Sequence, residues 1–160
     1  MADLKAVFVD AGCEEVRTYI QSGNVVFRST RALARRIPNT VTQAVSDRFG
    51  FTVPVVTRAV DELRAVRDSN PFLVAGEDPT KLHVAFLANK PAKGEIAALD
   101  PDRSPPDEFA VRGHEIFLFC PNGMARTKLT NAYLDSKLMT MSTVRNWNTV
   151  LKLVSLAEEL

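Results

Sequence analysis

The chain has 160 residues, 46% of them apolar, with 20 basic and 19 acidic side chains for a formal net charge of +1. That length allows one domain or two small ones around an ordinary core. The near balance of charge gives no global attraction to nucleic acid or to a membrane, so a basic site has to be a local patch. No apolar run approaches the roughly 20 residues of a membrane-spanning helix, and the start lacks the basic segment and long apolar run of a signal peptide. Cys13 and Cys120 are far apart, form no CxxC pattern and are flanked by apolar residues. They fit a reduced cytosolic protein, although sequence alone leaves a disulfide open. The expectation is a cytoplasmic protein without a membrane partner.

In chain order, Leu4, Val7, Phe8 and Ala11 follow helical spacing, with Asp3 placed to cap and Gly12 to end that helix. Residues 15–21 and 24–28 are two β-prone runs around Ser22-Gly23 and read as a tight hairpin. A two-residue loop sets Gln21 opposite Asn24, Tyr19 opposite Val26 and Arg17 opposite Arg28. One face is then Val16, Thr18, Ile20, Val25 and Phe27; the other carries Arg17, Tyr19, Gln21, Asn24, Val26 and Arg28. Residues 30–50 repeat apolar side chains at helical spacing, and Pro38 inside them predicts a kink or two abutting helices ended by Gly50. Residues 51–57 are β-rich, and Pro54 suggests an edge strand or a strand end. A short helix over 60–69 ends at Asn70-Pro71.

Residues 74–80 read as a linker. Residues 81–87 are apolar on both faces, the mark of a central strand. A short helix over 93–99 and a Pro-rich loop over 100–107 follow. The next hairpin, 108–112 and 115–119, turns at Gly113-His114, with Phe109, Val111, Ile116 and Leu118 on one face and Arg112 opposite Glu115. Two helices complete the chain, the last with Val150, Leu153, Val154, Ala157 and Leu160 on one stripe. The second set is β-α-β-β-α plus a helix, close to the split βαβ, ferredoxin-like plan. The first set is that plan without its opening strand. The fold class is therefore α/β in the α+β sense, with halves at 1–73 and 80–160.

Several blocks carry a family resemblance: Leu4-Lys-Ala-Val-Phe8, Val16-Arg-Thr-Tyr-Ile-Gln-Ser-Gly-Asn-Val-Val-Phe27, Arg48-Phe-Gly-Phe51, Asn70-Pro-Phe72, His83-Val-Ala-Phe-Leu87 and Thr143-Val-Arg-Asn-Trp-Asn-Thr-Val150. Together they resemble the bacterial family catalogued as domain of unknown function 1697. The resemblance implies two ferredoxin-like halves and no reaction. It also implies a strand and a glycine-rich loop ahead of the first helix, which this sequence lacks. A start placed too late, a shortened chain, a true truncation or a partner chain filling the slot would each account for that; the last predicts a homodimer through the vacated strand position.

Candidate ligand-binding residues fall in three groups. Arg17, Tyr19, Gln21 and Asn24 lie on the polar hairpin face, an array that resembles sheet-based RNA binders; the alternative is a face covered by other parts of the chain. Arg126 and Lys128, in the stretch 123–131, suit an anion at a helix start, although the P-loop spacing is absent. Arg145, Asn146 and Trp147 precede the last helix. There Asn146 or Asn148 can cap and Trp147 can anchor, which explains every residue except Arg145; the functional alternative has Arg145 on a phosphate and Trp147 stacked on a ring. His83 and His114 lack partners at metal-ligand spacing. No nucleophile and base can be paired from the sequence, so no catalytic residue, metal or cofactor is expected. The leading expectation is a non-enzymatic module that binds a phosphate-bearing ligand, nucleic acid or nucleotide, in the cleft between halves. A small-molecule enzyme using that cleft and a scaffold or assembly protein are the alternatives.

Overall fold

A computed structural model describes residues 2–20 and 23–160. By the clustering of contacts the chain divides into two compact units, Met1–Val60 with Lys152–Leu160, and Asp61–Leu151. The sequence places the break at 73–80 instead. Residues 61–74 belong to the second unit because they pack on its sheet, where the Phe72 ring lies 5.8 Å from that of Phe119.

The second unit begins with helices α3 (Val60–Asp68) and α4 (Pro71–Val74), and α4 is capped by the Asn70 side chain, which accepts the Phe72 N–H. Then come β3 (Leu82–Leu87), α5 (Lys93–Ala97), β4 (Glu108–Arg112), β5 (Glu115–Phe119), α6 (Asn131–Leu138) and β6 (Ser142–Asn146). The earlier labels α1, β1, β2 and α2 belong to Ala2–Asp10, Glu14–Tyr19, Asn24–Arg28 and Arg31–Phe49, and α7 is Trp147–Glu158. The order β4-β5-β3-β6 with antiparallel neighbours makes this unit a complete β-α-β-β-α-β sheet. β6 is the strand that the sequence does not predict. Its five residues hold one large apolar side chain, Val144, and become a strand by pairing with β3, from His83 opposite Asn146 to Leu87 opposite Ser142.

β3 is central, as its two-sided apolar pattern requires, and five of its six residues are buried. Ala85, Leu87, Ile116 and Leu118 point to one face and pack with Leu129, Tyr133, Leu134 and Leu138. Val84 and Phe117 point the other way and are also buried. The β4–β5 hairpin has the expected register, Arg112 opposite Glu115 and Phe109 opposite Leu118.

In the first unit Val7, Phe8, Cys13, Val16, Ile37, Val41 and Val45 form the core, with the rings of Phe8 and Phe27 5.3 Å apart. Asp3 stands in the first turn of α1 and does not precede it. α2 is a single helix that accommodates Pro38, because Ile37, Val41 and Val45 bury one continuous stripe across the missing backbone bond. The Thr30 hydroxyl accepts the Leu33 N–H at its start, and Gly50, at φ 76°, closes it.

The first hairpin differs in register from the sequence expectation. Tyr19 faces Asn24, Thr18 faces Val25 and Arg17 faces Val26, and an irregularity between Glu14 and Arg17 brings Glu14 opposite Arg28. The loop is thus longer by two residues, and because two is the side-chain period the residues paired in β1 and β2 keep their expected faces. Ile20 enters the loop at φ 47°; Gln21 and Ser22 lie outside the described residues. Residues 51–57 are not a strand. In the ferredoxin-like plan the last strand pairs with the first, and the described residues of this unit hold a two-stranded sheet, β1 with β2. The segment instead packs Val53 and Val55 on the core, with the Thr42 hydroxyl donating to the Val53 carbonyl at 3.3 Å.

The end of β6 feeds directly into α7. The Asn146 side chain accepts the Thr149 N–H at 2.8 Å, and Trp147 is 2% exposed. Trp147→Ala should lower the urea-unfolding free energy by roughly 3–5 kcal/mol, and Asn146→Ala by about 1 kcal/mol. A loss under about 1 kcal/mol for the tryptophan variant would contradict the anchoring role.

Candidate functional site

On the hairpin, Arg17 pairs with Glu159 at 3.0 Å, so the end of the chain lies along the polar face within the first unit. Both side chains are about half exposed, and such a pair contributes at most about 1 kcal/mol. Asn24 is buried and its amide donates to the Tyr19 carbonyl at 3.3 Å, closing the loop. Tyr19 is half-buried, and Val26 on the same face is buried. Among the described residues of this face, Arg17, Asn24 and Arg28 thus each have a partner within the protein.

Arg145 stands on β6 opposite Val84. Directly opposed residues share a face, so its stem runs over the side of the sheet that carries Val84 and Phe117. Its guanidinium donates to the Val144 carbonyl at 2.9 Å, and burial lowers its pKa. Leu129 and Tyr133 pack on the other face of the sheet. Arg145 and the stretch that carries Arg126 and Lys128 are thus on opposite faces and do not form one site. Asn146 is the helix cap and Trp147 is core, as set out above.

The stretch 120–131 is built as a brace. Lys128 donates its backbone N–H to the Ser104 hydroxyl at 2.9 Å, and that hydroxyl donates to the Asp107 carboxylate at 2.8 Å. Ser104 and Asp107 are both buried, so this link fixes the Pro-rich loop to the stretch before α6. Arg103, which the sequence reading did not single out, adds two contacts. Its Nε donates to the Lys128 carbonyl at 3.3 Å, and its guanidinium lies 4.1 Å from the centre of the Tyr133 ring. The Tyr133 hydroxyl in turn accepts the Asp100 N–H at 2.8 Å. Thr130 caps α6 by accepting the Tyr133 N–H, and Asn131 ties α6 to β6 through the Ser142 carbonyl and hydroxyl.

Three cations remain outward on this brace, with the exposed Asp100 and Asp102 beside Arg103 in sequence. Arg103, Arg126 and Lys128 are exposed, and among the described residues neither Arg126 nor Lys128 forms an ion pair through its side chain. The turn Met124–Arg126 is three residues of 3-10 helix following Gly123, which adopts φ 85°. It is too short to supply a helix-end anion site of the kind expected from the sequence. The arrangement can hold an anion by side-chain charge on a fixed backbone.

The remaining polar groups do less. His83 is half-buried with Nδ1 unbonded among the described residues, and its pKa is lowered chiefly by burial, against a backbone bond to Lys81. Among the described residues no cluster of three His, Cys, Asp or Glu is arranged to hold a metal ion, and no helix is long and apolar enough to cross a membrane. Cys13 and Cys120 are free and buried.

Comparison with known proteins adds a family and a fold. Residues 1–117 match the family described as Protein of unknown function (DUF1697). The chain belongs to this family. The DUF1697 match spans the first hairpin, α2 and the second unit as far as β5, and ends before the stretch with Arg126, Lys128 and Arg145. The solved structure of the conserved bacterial protein SP0830 from Streptococcus pneumoniae superposes with a TM-score of 0.70 at 18% identity. The alignment covers 99% of this chain and 88% of that one. At that identity the likeness bears on the fold alone, and it agrees with the α+β architecture. No curated protein matches the chain.

Burial, then the Asp107 carboxylate, push the Cys120 thiol from 9.0 up to about 11, partly opposed by a hydrogen bond with Thr127. The folded value is raised, so the stability that the neutral thiol contributes is complete below pH 9 and is lost as pH rises toward 11. The urea midpoint should therefore fall between pH 9 and 11 more steeply in the native protein than in Cys120→Ala. Equal slopes would contradict the buried-thiol assignment.

Proposed function

We propose that the protein is a non-enzymatic binding module for a phosphate-bearing ligand, met by Arg126 and Lys128 with Arg103 beside them. The observation that supports this reading is the contrast between these side chains and their backbone. The backbone is held by the Ser104–Asp107 link, while the two cations are exposed and without a counter-ion among the described residues. Holding the backbone fixed reduces the ordering cost of binding an anion there, and arginine matches phosphate oxygens bidentately. A binding role suits the site better than a reaction does. Both thiols are buried with raised pKa values, which makes them poor nucleophiles.

The test is calorimetric titration with inorganic triphosphate and with a short RNA. Arg126→Ala with Lys128→Ala should weaken binding about tenfold or more, in keeping with two lost charge-assisted contacts. Arg145→Ala should leave it unchanged while lowering stability. Full affinity in the double variant, or a selective loss in the Arg145 variant, would overturn the proposal.

A further inference from the structure

A second basic surface lies in the first unit and stands independently of the Arg126–Lys128 reading. α2 carries four arginines and one aspartate in 19 residues, within a chain whose net charge is +1. Three of them, Arg31, Arg35 and Arg36, occupy its first two turns, and its first turn holds no acidic residue. Both features work against an isolated helix. The dipole disfavours cations at that end, and Arg31 and Arg35 are a like-charge pair at i, i+4. All three side chains are exposed and have no ion pair or hydrogen bond among the described residues. An exposed face that disregards local preference without an internal contact to offset it is suited to a contact made with another molecule.

The other end of the same helix presents rings. Phe49 and Phe51 are 42% and 55% exposed, their centroids 6.1 Å apart, and the Arg48 guanidinium lies 5.9 Å from the Phe49 ring centre. At about 100° per residue, Phe49 returns to the azimuth of Arg31, and Arg35 is within about 40° of it. Arg35 and Phe49 are separated by about 21 Å along the axis, within reach of one short strand of nucleotides.

We propose that α2 is a docking face for single-stranded nucleic acid, with Arg31 and Arg35 on phosphates and the Phe49–Phe51 pair against a base; Arg36, about 140° around the helix from Arg31, lies off that line. Charge complementarity selects a polyanion, and the exposed rings select one whose bases are unstacked, because a duplex hides their faces. A bilayer fits less well. It would need large apolar side chains along the exposed face, where Asn39, Thr40 and Gln43 stand, the apolar stripe being buried in the core.

The test is fluorescence anisotropy with a labelled oligouridine of about 12 nucleotides, repeated across salt concentrations of about 50 to 200 mM. The variant R31Q/R35Q should bind more weakly and show a log K against log salt slope smaller by about 1.4, from two phosphate contacts at about 0.7 each. R31K/R35K should keep the slope. F49S/F51S should lose roughly tenfold in affinity while keeping it. Protection of Arg31 and Arg35 from phenylglyoxal by the same oligonucleotide gives the same reading on the unaltered protein should a variant not fold. An unchanged slope in the folded Gln variant, absence of protection, or binding to anionic vesicles or polyglutamate but not to RNA would each overturn the proposal. Failure of the Arg126–Lys128 reading alone would appear as full affinity in R126A/K128A with the α2 slope still present.

Discussion

The second unit depends on the pairing of β3 along both of its edges. Its apolar residues point to both faces, so both faces must be covered and both edges paired before the strand is stable. β5 takes one edge through a local hairpin partner, but the other has to wait for β6, some 55 residues later in the chain. That requirement explains the composition of the last third. The Ser142–Asn146 segment closes the ladder, Asn146 turns the chain into α7, and Trp147 fills the space behind the turn. Residues that look like a binding motif in the sequence are needed to finish a sheet.

The same logic sorts the charged residues. Arg17 is answered by Glu159 and Arg28 by Glu15, while Arg145 is drawn over the sheet and bonds backbone next to it. Arg126 and Lys128 differ, because their stretch is pinned by the backbone and by the buried Ser104 hydroxyl. The side chains are left over from that bracing. The result is a fixed backbone with outward cations.

Sequence patterning showed the elements whose cause is local and missed those whose cause is distant. Apolar alternation gave β3 and the β4–β5 register, and apolar spacing gave α2 and the stripe of α7. β6 escaped because Ser-Thr-Val-Arg-Asn has little strand character until β3 is beside it. Residues 51–57 erred the other way: their β propensity is high, yet no partner strand lies beside them among the described residues. In the hairpin the Ser-Gly pair suggested the shortest loop, and the two-residue offset left the faces intact while changing every cross-strand partner. Of the candidate site, Arg126 and Lys128 were visible by type. Arg103 was not, since only the folded loop places it against the Lys128 carbonyl.

The central claim is that the free cations of the brace, and not the Arg-Asn-Trp block, meet the ligand. Amide chemical shifts of the isotopically labelled protein, followed during titration with inorganic triphosphate, test it most directly. Saturating shifts confined to the neighbourhood of Arg103, Arg126 and Lys128 are the predicted result. Shifts centred on Arg145, Asn146 and Trp147, with residues 103 and 126–128 unmoved, would contradict it.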